Sequence, residues 1–260
     1  MSCDPFLPPE WVASVPSSND VLLGRLASGE ALPHGYVLAA REQTAGRGRQ
    51  GRTWVSGAAD LAFSFVWRTG SGPERFPSLP MAAALAVRAA LSESGVAART
   101  KWPNDVLAGG RKIGGILSET GRQRPGNRAV LVVGIGVNVN TTAAEAGRIR
   151  PAATSLRAET GRRHRVAALL DAVLRELAGR LARWETGGFE GVRDEWSAHC
   201  VWRGQEITVT GEGGARSGIL AGFGSQGELL LKEPGGSIRA IWAGDAGVRE
   251  AGSVAGETGS

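Results

Sequence analysis

Cysteine and histidine are scarce in this chain, which has two cysteines and three histidines among 260 residues. Cys3 and Cys200 are too few and too far apart in sequence for a disulfide framework. His34, His164 and His199 show no metal-ligand spacing, and we expect them to be incidental to the chemistry. The sequence therefore excludes a disulfide-stapled scaffold and gives no sign of a histidine–cysteine metal centre.

Long apolar runs are also missing, since no stretch approaches the ~20 residues that a membrane-spanning helix needs. Residues 1–11 (MSCDPFLPPEW) lack the basic and apolar segments of a signal peptide. We therefore expect a cytoplasmic protein without membrane association. No P-loop, HExxH motif or GxSxG elbow occurs, so any nucleotide would bind to a different fold, and nothing points to covalent catalysis.

Positive charge is in modest excess, with 30 basic and 25 acidic residues and a net charge of +5. A basic surface attracts nucleic acid, anionic nucleotides or an acidic protein partner. The length allows one large domain and a small one, and the 42% hydrophobic content is ordinary for a globular protein. Bulk charge alone does not identify the partner.

The most informative segment is EQTAGRGRQGRTW, residues 42–54, in which three glycines are interleaved with three arginines. Glycine lets the backbone approach a ligand closely, and the arginine guanidinium is suited to phosphate and carboxylate. The segment predicts a loop that wraps an anion. A nucleotide loop and a nucleic-acid-binding arm both remain open on this segment alone.

Three further motifs carry charged or amide side chains next to glycine or proline: KWPNDVL (101–107), KIGGILSE (112–119) and VVGIGVNVN (132–140). A carboxylate at Asp105, beside lysine, suits Mg²⁺ bound to phosphate, although a plain turn with an ion pair is the alternative. Gly114 and Gly115 inside a strand pattern indicate close approach of a ligand, or a bulge. Asn138 could read an adenine edge or close a turn.

Apolar spacing predicts the main elements of the larger part of the chain. Residues 1–14 are proline-rich and are expected to be irregular. Steps of three and four predict helices near residues 21–26 and 166–184. Apolar, β-branched runs at residues 112–119 and 129–139 predict central paired strands.

The C-terminal part has a different pattern. Short strand patterns separated by glycine-rich turns predict a small β-barrel at residues 203–249. A barrel of this size is marginal alone and is expected to pack on the larger domain. Residues 250–260 are expected to form a disordered tail.

Taken together and in this order, the four motifs resemble those of the biotin protein ligase family. The resemblance covers residues 17–198, with that family's SH3-like domain at 203–249. It implies an α+β fold: a catalytic domain of the class II aminoacyl-tRNA-synthetase and biotin-ligase type at residues 15–200, with a mixed, largely antiparallel sheet, and a C-terminal SH3-like β-barrel. The implied substrates are biotin and ATP with Mg²⁺, which would give biotinyl-5′-AMP and pyrophosphate. The acyl group would then pass to a lysine of a biotin carboxyl carrier domain of acetyl-CoA, acyl-CoA or pyruvate carboxylase.

The resemblance also implies roles for individual residues. The catalytic cations would be Arg47, Arg49 and Lys112. The biotin site would consist of Ser17, Ser18, Asn19, Gln43, Gly46, Arg47, Lys112, Gly114 and Gly115. The ATP and adenylate site would consist of Arg47, Arg49, Arg52, Trp54, Lys101, Asn104, Asp105, Lys112 and Asn138. Asp105 would be the magnesium ligand, and Ser18 stands where the family usually has threonine.

Two alternative functions stand beside this interpretation, and one property of some family members is not expected here. A lipoate ligase would share the fold and the adenylate chemistry, but the GRGRxGR segment together with KWPND is more similar to the biotin branch. A nucleic-acid-binding module would explain the arginine segment but not KWPND or KIGGIL. Some family members carry an N-terminal helix-turn-helix segment, but the first motif begins at Ser17, so sequence-specific DNA binding is not expected.

Overall fold

A seven-stranded sheet organises the larger domain in the computed structural model, which describes residues 5–55, 57, 59–121, 128–148, 153–211 and 213–248. Its strands are β1 Glu10–Val15, β2 Val37–Gln43, β3 Leu61–Thr69, β4 Ala98–Lys101, β5 Asp105–Ala108, β6 Arg111–Thr120 and β7 Ala129–Val137. Their spatial order is β1-β2-β3-β7-β6-β5-β4, and every neighbouring pair is antiparallel except β1 and β2. The mixed, largely antiparallel sheet that the resemblance implies is therefore confirmed.

Helices cover both faces of this sheet. They are α1 Ser18–Ala27, α2 Leu79–Glu93, α3 Ala143–Ala146, α4 Leu156–Thr160, α5 Val166–Gly187 and α6 Arg193–His199. The alanine-rich α2 and the amphipathic α5 pack on one face, and α1 packs on the other. Strand β3 is thus buried on both sides, with Phe63 and Phe65 towards α2 and Val66 towards α1. No helix in the described ranges is long and apolar enough to cross a membrane.

The expectation of an irregular N-terminus is wrong for its last residues. Residues 10–14 belong to β1, which pairs in parallel with β2 at the edge of the sheet. The Arg41 guanidinium lies over the Trp11 ring at 5.4 Å and fixes this edge further. The sequence conceals the strand because EWVASV is short, follows two prolines, and gains its hydrogen bonds from a partner about 28 residues later.

The smaller domain is a five-stranded antiparallel barrel-like sheet of order β11-β10-β9-β8-β12. Its strands are β8 Glu206–Gly211, β9 Gly214–Phe223, β10 Leu229–Lys232, β11 Ile238–Ile241 and β12 Asp245–Gly247. The predicted small β-domain is confirmed, and β12 is an addition that the sequence patterns did not indicate. The predicted tail at 250–260 lies outside the described residues.

The two domains share one hydrophobic core. Phe223 of β9 makes edge-to-face contacts with Phe189 at 6.2 Å and with Trp196 of α6 at 6.0 Å between ring centroids. The Trp102 indole donates a hydrogen bond of 2.9 Å to the Gly227 carbonyl. Burying such aromatic rings contributes about 2 kcal/mol each, so the small domain is held on the larger one by apolar packing.

Candidate functional site

A cavity of about 720 Å³ lies on the face of the sheet that carries α1, between the strands and residues 46–54, which we call the strap. The predicted site residues that line it are Ser17, Ser18, Asn19, Gln43, Arg47, Arg49, Arg52, Trp54, Lys101, Asn104, Asp105, Lys112, Gly115 and Asn138. Gly46 and Gly114 do not line it. Gly114 faces Val87 of α2 on the opposite side, where a Cβ would lie 3.6 Å from Val87 Cγ1.

The floor of the cavity is bare backbone from the middle of the sheet. A Cβ on Gly134 of β7 would lie 3.0 Å from Asn19 Cγ, so its absence makes room for the asparagine. A Cβ on Gly136 would lie 2.5 Å from Trp54 Nε1, and Gly136 pairs in register with Gly115 of β6. These contacts give the glycines of GIG and KIGG a physical reason: side chains from other elements lie directly on the strands.

The strap is a short hairpin over this floor. Its Trp54 amide donates to the Gly46 carbonyl at 2.8 Å, and its Gly48 amide donates to the Arg52 carbonyl at 2.7 Å. Gln50 and Gly51 form the tip with positive φ values of 55° and 70°, which explains a glycine there. The indole N–H of Trp54 is buried and has no acceptor among the described residues.

Each of the three strap arginines points in a different direction. Arg49 points inward, where it donates to Asn104 Oδ1 at 3.3 Å and to the Gly244 carbonyl at 3.4 Å. Burial lowers the pKa of the Arg49 guanidinium, and the nearby charges of Asp105 and Asp245 oppose that shift. Arg52 reaches the smaller domain and pairs with Asp245 at 2.7 Å. Arg49 is therefore the strap cation that meets only neutral oxygens.

Arg47 points to the opposite end of the cavity. Its Nε donates to Asp20 Oδ2 at 3.1 Å, and its Nη2 donates to both oxygens of Glu119 at 2.9 and 3.0 Å. The hydrogen bond to Asp20 is the main cause that raises the pKa of the Arg47 guanidinium, against the lowering effect of burial. The sequence predicted Arg47 as a substrate-binding cation, whereas its guanidinium is engaged by two protein carboxylates.

One end of the cavity is neutral, polar and buried. Ser17 caps α1, and Ser18 and Asn19 begin the helix with 3% exposure each. Ser64 of β3 donates to Asn19 Oδ1 at 2.6 Å and also contacts the Ser18 hydroxyl at 2.6 Å. Gln43 Oε1 accepts from the Ser18 amide at 2.8 Å and from its hydroxyl at 3.0 Å. The Ser18 oxygen keeps a lone pair for a ligand N–H.

The other end is cationic. Lys101 and Asp105 flank the turn between β4 and β5, and the peptide bond between Trp102 and Pro103 is cis. Lys112 Nζ lies 2.5 Å from Asp105 Oδ1 and 5.6 Å from the Trp54 ring centroid.

Lys101 makes its shortest ion pair with the smaller domain rather than with Asp105. Its Nζ lies 2.8 Å from Asp245 Oδ1 and 3.9 Å from Asp105 Oδ2. Burial alone would raise the pKa of Asp245, but hydrogen bonds from Lys101 and Arg52 outweigh it and hold that pKa below its usual value. Asp245 thus brings the smaller domain into the cavity wall.

Asn138 lies at the end of β7 on a rigid loop. Its side-chain Nδ2 donates to the Thr154 carbonyl at 2.9 Å, which orients its Oδ1 as the remaining acceptor. The buried Asp60 fixes the following turn, because it accepts from the Val139 amide at 2.8 Å and the Asn140 amide at 3.1 Å. An Oδ1 oriented in this way can accept a hydrogen bond from a ligand donor such as the adenine amino group.

The family is shown by comparison with known proteins. A model described as the biotin/lipoate A/B protein ligase family matches residues 11–140. A biotin–[acetyl-CoA-carboxylase] ligase of Paracoccus denitrificans is 41% identical over 207 residues, covering 77% of this chain and 85% of that protein. The chain belongs to the biotin/lipoate A/B protein ligase family.

Further relatives agree with this membership. The biotin–[acetyl-CoA-carboxylase] ligase of Mycobacterium tuberculosis is 36% identical over 90% of this chain and 86% of its own length. A solved biotin protein ligase from Aquifex aeolicus, in complex with biotin and ATP, is 30% identical with a TM-score of 0.78. That structural match covers 94% of this chain and 99% of the other.

Several site residues of this biotin/lipoate ligase family member were missed by sequence reasoning: Asp20, Asp60, Ser64, Glu119 and Asp245. Ser64 is the one polar residue inside LAFSFVW, and that position is a usable signal of a buried polar contact. Glu119 ends the KIGGILSE motif but was not given a role. Asp245 carries no local signal, because its function depends on the packing of the two domains.

Neither the three histidines nor Cys200 lies in the lining of the cavity. Burial lowers the pKa of His34, His164 and His199, and none of them lines the cavity. Burial raises the pKa of the Cys200 thiol to about 12, so it is not a nucleophile at neutral pH.

Proposed function

We propose that the chain is an ATP-dependent biotin protein ligase that makes biotinyl-5′-AMP and transfers biotin to a carrier protein. The observation that carries the proposal is a single cavity with a buried neutral polar end and a cationic end, roofed by one strap. A neutral polar head group fits the first end, and its anionic tail and a triphosphate fit the second. The relatives named as biotin–[acetyl-CoA-carboxylase] ligases support this choice.

The neutral end favours biotin over lipoate. Ser18, Asn19, Gln43 and Ser64 offer donors and acceptors that a ureido ring can satisfy. A dithiolane ring has no strong hydrogen-bonding group and could not use the free lone pair of the Ser18 oxygen, and sites built to hydrogen-bond a substrate disfavour the analogue that lacks the polar group. Because the matching family includes both ligase types, this contrast is the one that discriminates between them.

The first chemical step is attack of the biotin carboxylate oxygen on the α-phosphorus of ATP. The bond from the α-phosphorus to its bridging oxygen breaks, and pyrophosphate leaves. Two anions must approach each other, so catalysis depends on fixed positive charges. We propose that Arg49, which hydrogen-bonds to neutral oxygens, and Lys112, beside Asp105, offset that repulsion.

In the second step a carrier lysine amine attacks the carbonyl carbon of the mixed anhydride. The carbon–oxygen bond to AMP breaks, AMP leaves, and the nitrogen loses a proton. We propose that Lys112 stabilises the oxyanion that forms. Asp105 Oδ1, 2.5 Å from Lys112 Nζ, holds the ammonium group.

Magnesium was predicted at Asp105. The described residues contain no group of three histidine, cysteine, aspartate or glutamate side chains that could hold a metal. Asp105 is also paired with Lys112, and Asp245 with Lys101. These residues do not form a resident metal site of the protein. A Mg²⁺ that accompanies ATP would be held mainly by phosphate oxygens, and a role of Asp105 towards it stays a prediction.

The partner follows from the acyl transfer. The relatives' names support the carboxyl carrier protein of acetyl-CoA carboxylase as the acceptor. Carrier domains of acyl-CoA or pyruvate carboxylases would present the same kind of lysine and are further candidates. The expectation that the chain does not bind specific DNA sequences also remains a prediction.

The decisive experiment is biotin transfer from biotin and ATP to a purified carboxyl carrier domain, with its target lysine replaced as the negative control. Pyrophosphate release is followed in parallel, with lipoate as the competing acid. We expect Lys112→Ala to lower the rate by about 10²-fold or more, the size typical for loss of one preorganised donor. Lys232→Ala, on the exposed side of β10, is the matched lysine control. Preference for lipoate, or a normal rate in Lys112→Ala, contradicts the proposal.

A further inference from the structure

The first two arginines of the strap, Arg47 and Arg49, have different electrostatic surroundings. Arg47 donates to Asp20 and Glu119, whereas Arg49 donates to an amide oxygen and a backbone carbonyl. Two carboxylates around one guanidinium leave a net negative cluster. An incoming biotin carboxylate would be repelled there unless it displaced one of the two. At Arg49 it would meet a guanidinium that hydrogen-bonds to neutral oxygens, with Asp105 and Asp245 nearby but not paired with it.

We infer that Arg47 is a positioning residue, and that Asp20 and Glu119 are its anchors. The three side chains form a lock that holds the strap over the neutral end of the cavity. Arg49 is then the arginine that meets the substrate anions. This inference rests on the proposed function for the identity of the substrates, but the lock itself is defined by contacts within the protein.

The anchors stand on two separate elements. Asp20 lies in the first turn of α1, directly after Asn19 of the neutral end, and Glu119 lies near the end of β6. Because the Arg47 guanidinium is hydrogen-bonded to both carboxylates, it connects the strap to α1 and to β6. Charge-assisted hydrogen bonds of this kind are about twice as strong as neutral ones. The lock therefore fixes the part of the roof nearest to a bound head group.

Glu119 also connects the lock to the head-group site. Its Oε2 accepts from Asn19 Nδ2 at 2.7 Å, and Asn19 Oδ1 in turn accepts from Ser64 at 2.6 Å. The carboxylate thus sets which way the asparagine amide points. A ligand that contacts Ser18 or Asn19 and the arginine that closes the strap consequently share one hydrogen-bonded chain.

The strap carries a second set of contacts at its other side, which allows a clean comparison. Arg52 pairs with Asp245 and Trp54 lies on Gly136, and neither contact involves Asp20 or Glu119. Loss of the lock is therefore expected to loosen one side of the strap without dismantling the site. The chemistry at Arg49 and Lys112 should survive when substrate concentrations are saturating.

The test compares Arg47→Ala, Asp20→Asn and Glu119→Gln with Arg49→Ala. For the three lock variants we expect biotin to dissociate about fivefold faster, the size of a lost ion pair at a site where the Arg47 and Asp20 side chains are 38% and 45% exposed. Their kcat for pyrophosphate release should stay within about threefold of wild type. For Arg49→Ala we expect kcat to fall by about 10²-fold. Glu30→Gln, which breaks the Arg25 pair at the far end of α1, is the control for a lost surface ion pair on the same helix.

A second readout needs no activity. In the ligand-free protein, limited proteolysis within the strap should be faster in each lock variant than in wild type and in Glu30→Gln. Combining Arg47→Ala with Asp20→Asn should add little to either single change, because both remove the same contact of the lock. The inference is overturned if Arg47→Ala lowers kcat as much as Arg49→Ala while Asp20→Asn and Glu119→Gln behave as wild type. A wild-type protein that releases no pyrophosphate from ATP with biotin would refute the proposed function, whereas the proteolysis result judges the lock by itself.

Discussion

Substitution of Gly136 by alanine tests the idea that the bare strand floor exists to seat the strap. The new Cβ would lie 2.5 Å from Trp54 Nε1 and 2.6 Å from its Cζ2. Ordinary carbon contacts lie at about 3.5–4.0 Å, so the indole has to move away by about 1 Å or more. The strap and its arginines would move with it.

The size of the effect follows from two opposing terms. Alanine in a strand interior is favoured over glycine by about 0.5–1 kcal/mol. Overpacking against a fixed neighbour costs about 1–3 kcal/mol. We therefore expect a small net loss of unfolding free energy, about 1 kcal/mol, together with an increase in the KM for ATP of about tenfold, which corresponds to about 1.4 kcal/mol.

The assay measures the KM for ATP in biotin-dependent pyrophosphate release, beside the thermal midpoint of the same sample. Gly222→Ala is the matched control, since Gly222 also lies in a strand and a Cβ there meets nothing within 4 Å. In a Trp54→Ala background the Gly136 change should have little further effect, because the clashing ring is gone. An unchanged KM in Gly136→Ala, or full additivity with Trp54→Ala, would refute the reasoning.

Three further predictions concern the frame of the site. Asp245→Asn should lower the unfolding free energy by about 1 kcal/mol, mostly at low salt, because it breaks ion pairs with Lys101 and Arg52; urea titration at two salt concentrations measures this. Asp60→Ala should lower the unfolding free energy by about 3 kcal/mol in the same titration, because the buried backbone amides of Val139 and Asn140 lose their hydrogen-bond acceptor. Burial lowers the pKa of His34, so the unfolded chain binds the proton more readily and stability is lost as pH falls below about 6.5. Thermal melts at descending pH should show a shallower loss in His34→Gln.

The sequence predicts where a cavity residue lies when that position depends only on the residue's own motif. KWPNDVL places Lys101 and Asp105 on either side of a tight turn, and the structure has them there. Gly114 and Gly115 were expected to mark close approach of a ligand, or a bulge, and the pairing of β5 with β6 does shift register beside Gly114. Turn geometry and missing side chains are local properties, so they can be read from a short window of sequence.

What the sequence could not provide depends on contacts between distant segments. Arg47 was expected to meet substrate, because nothing in GRGRQGR indicates that Asp20 and Glu119 converge on it. Asp245 lies about 140 residues from Lys101 in sequence, and only domain packing joins them. The edge strand β1 likewise depends on hydrogen bonds from β2. Charge partners of this kind appear only once the topology is known.

Strand β7 lies in the middle of the sheet, and this position limits how the cavity can deform. On one face its Val133, Ile135 and Val137 belong to the hydrophobic core, while on the other face Gly134 and Gly136 form the cavity floor. The floor can yield only if the core yields, so its amide protons should exchange only through global unfolding. The roof rests on a few side-chain contacts and can open locally. The cavity thus has a rigid floor, which keeps its geometry throughout turnover. The strap above it can open at a cost of only a small part of the folding free energy.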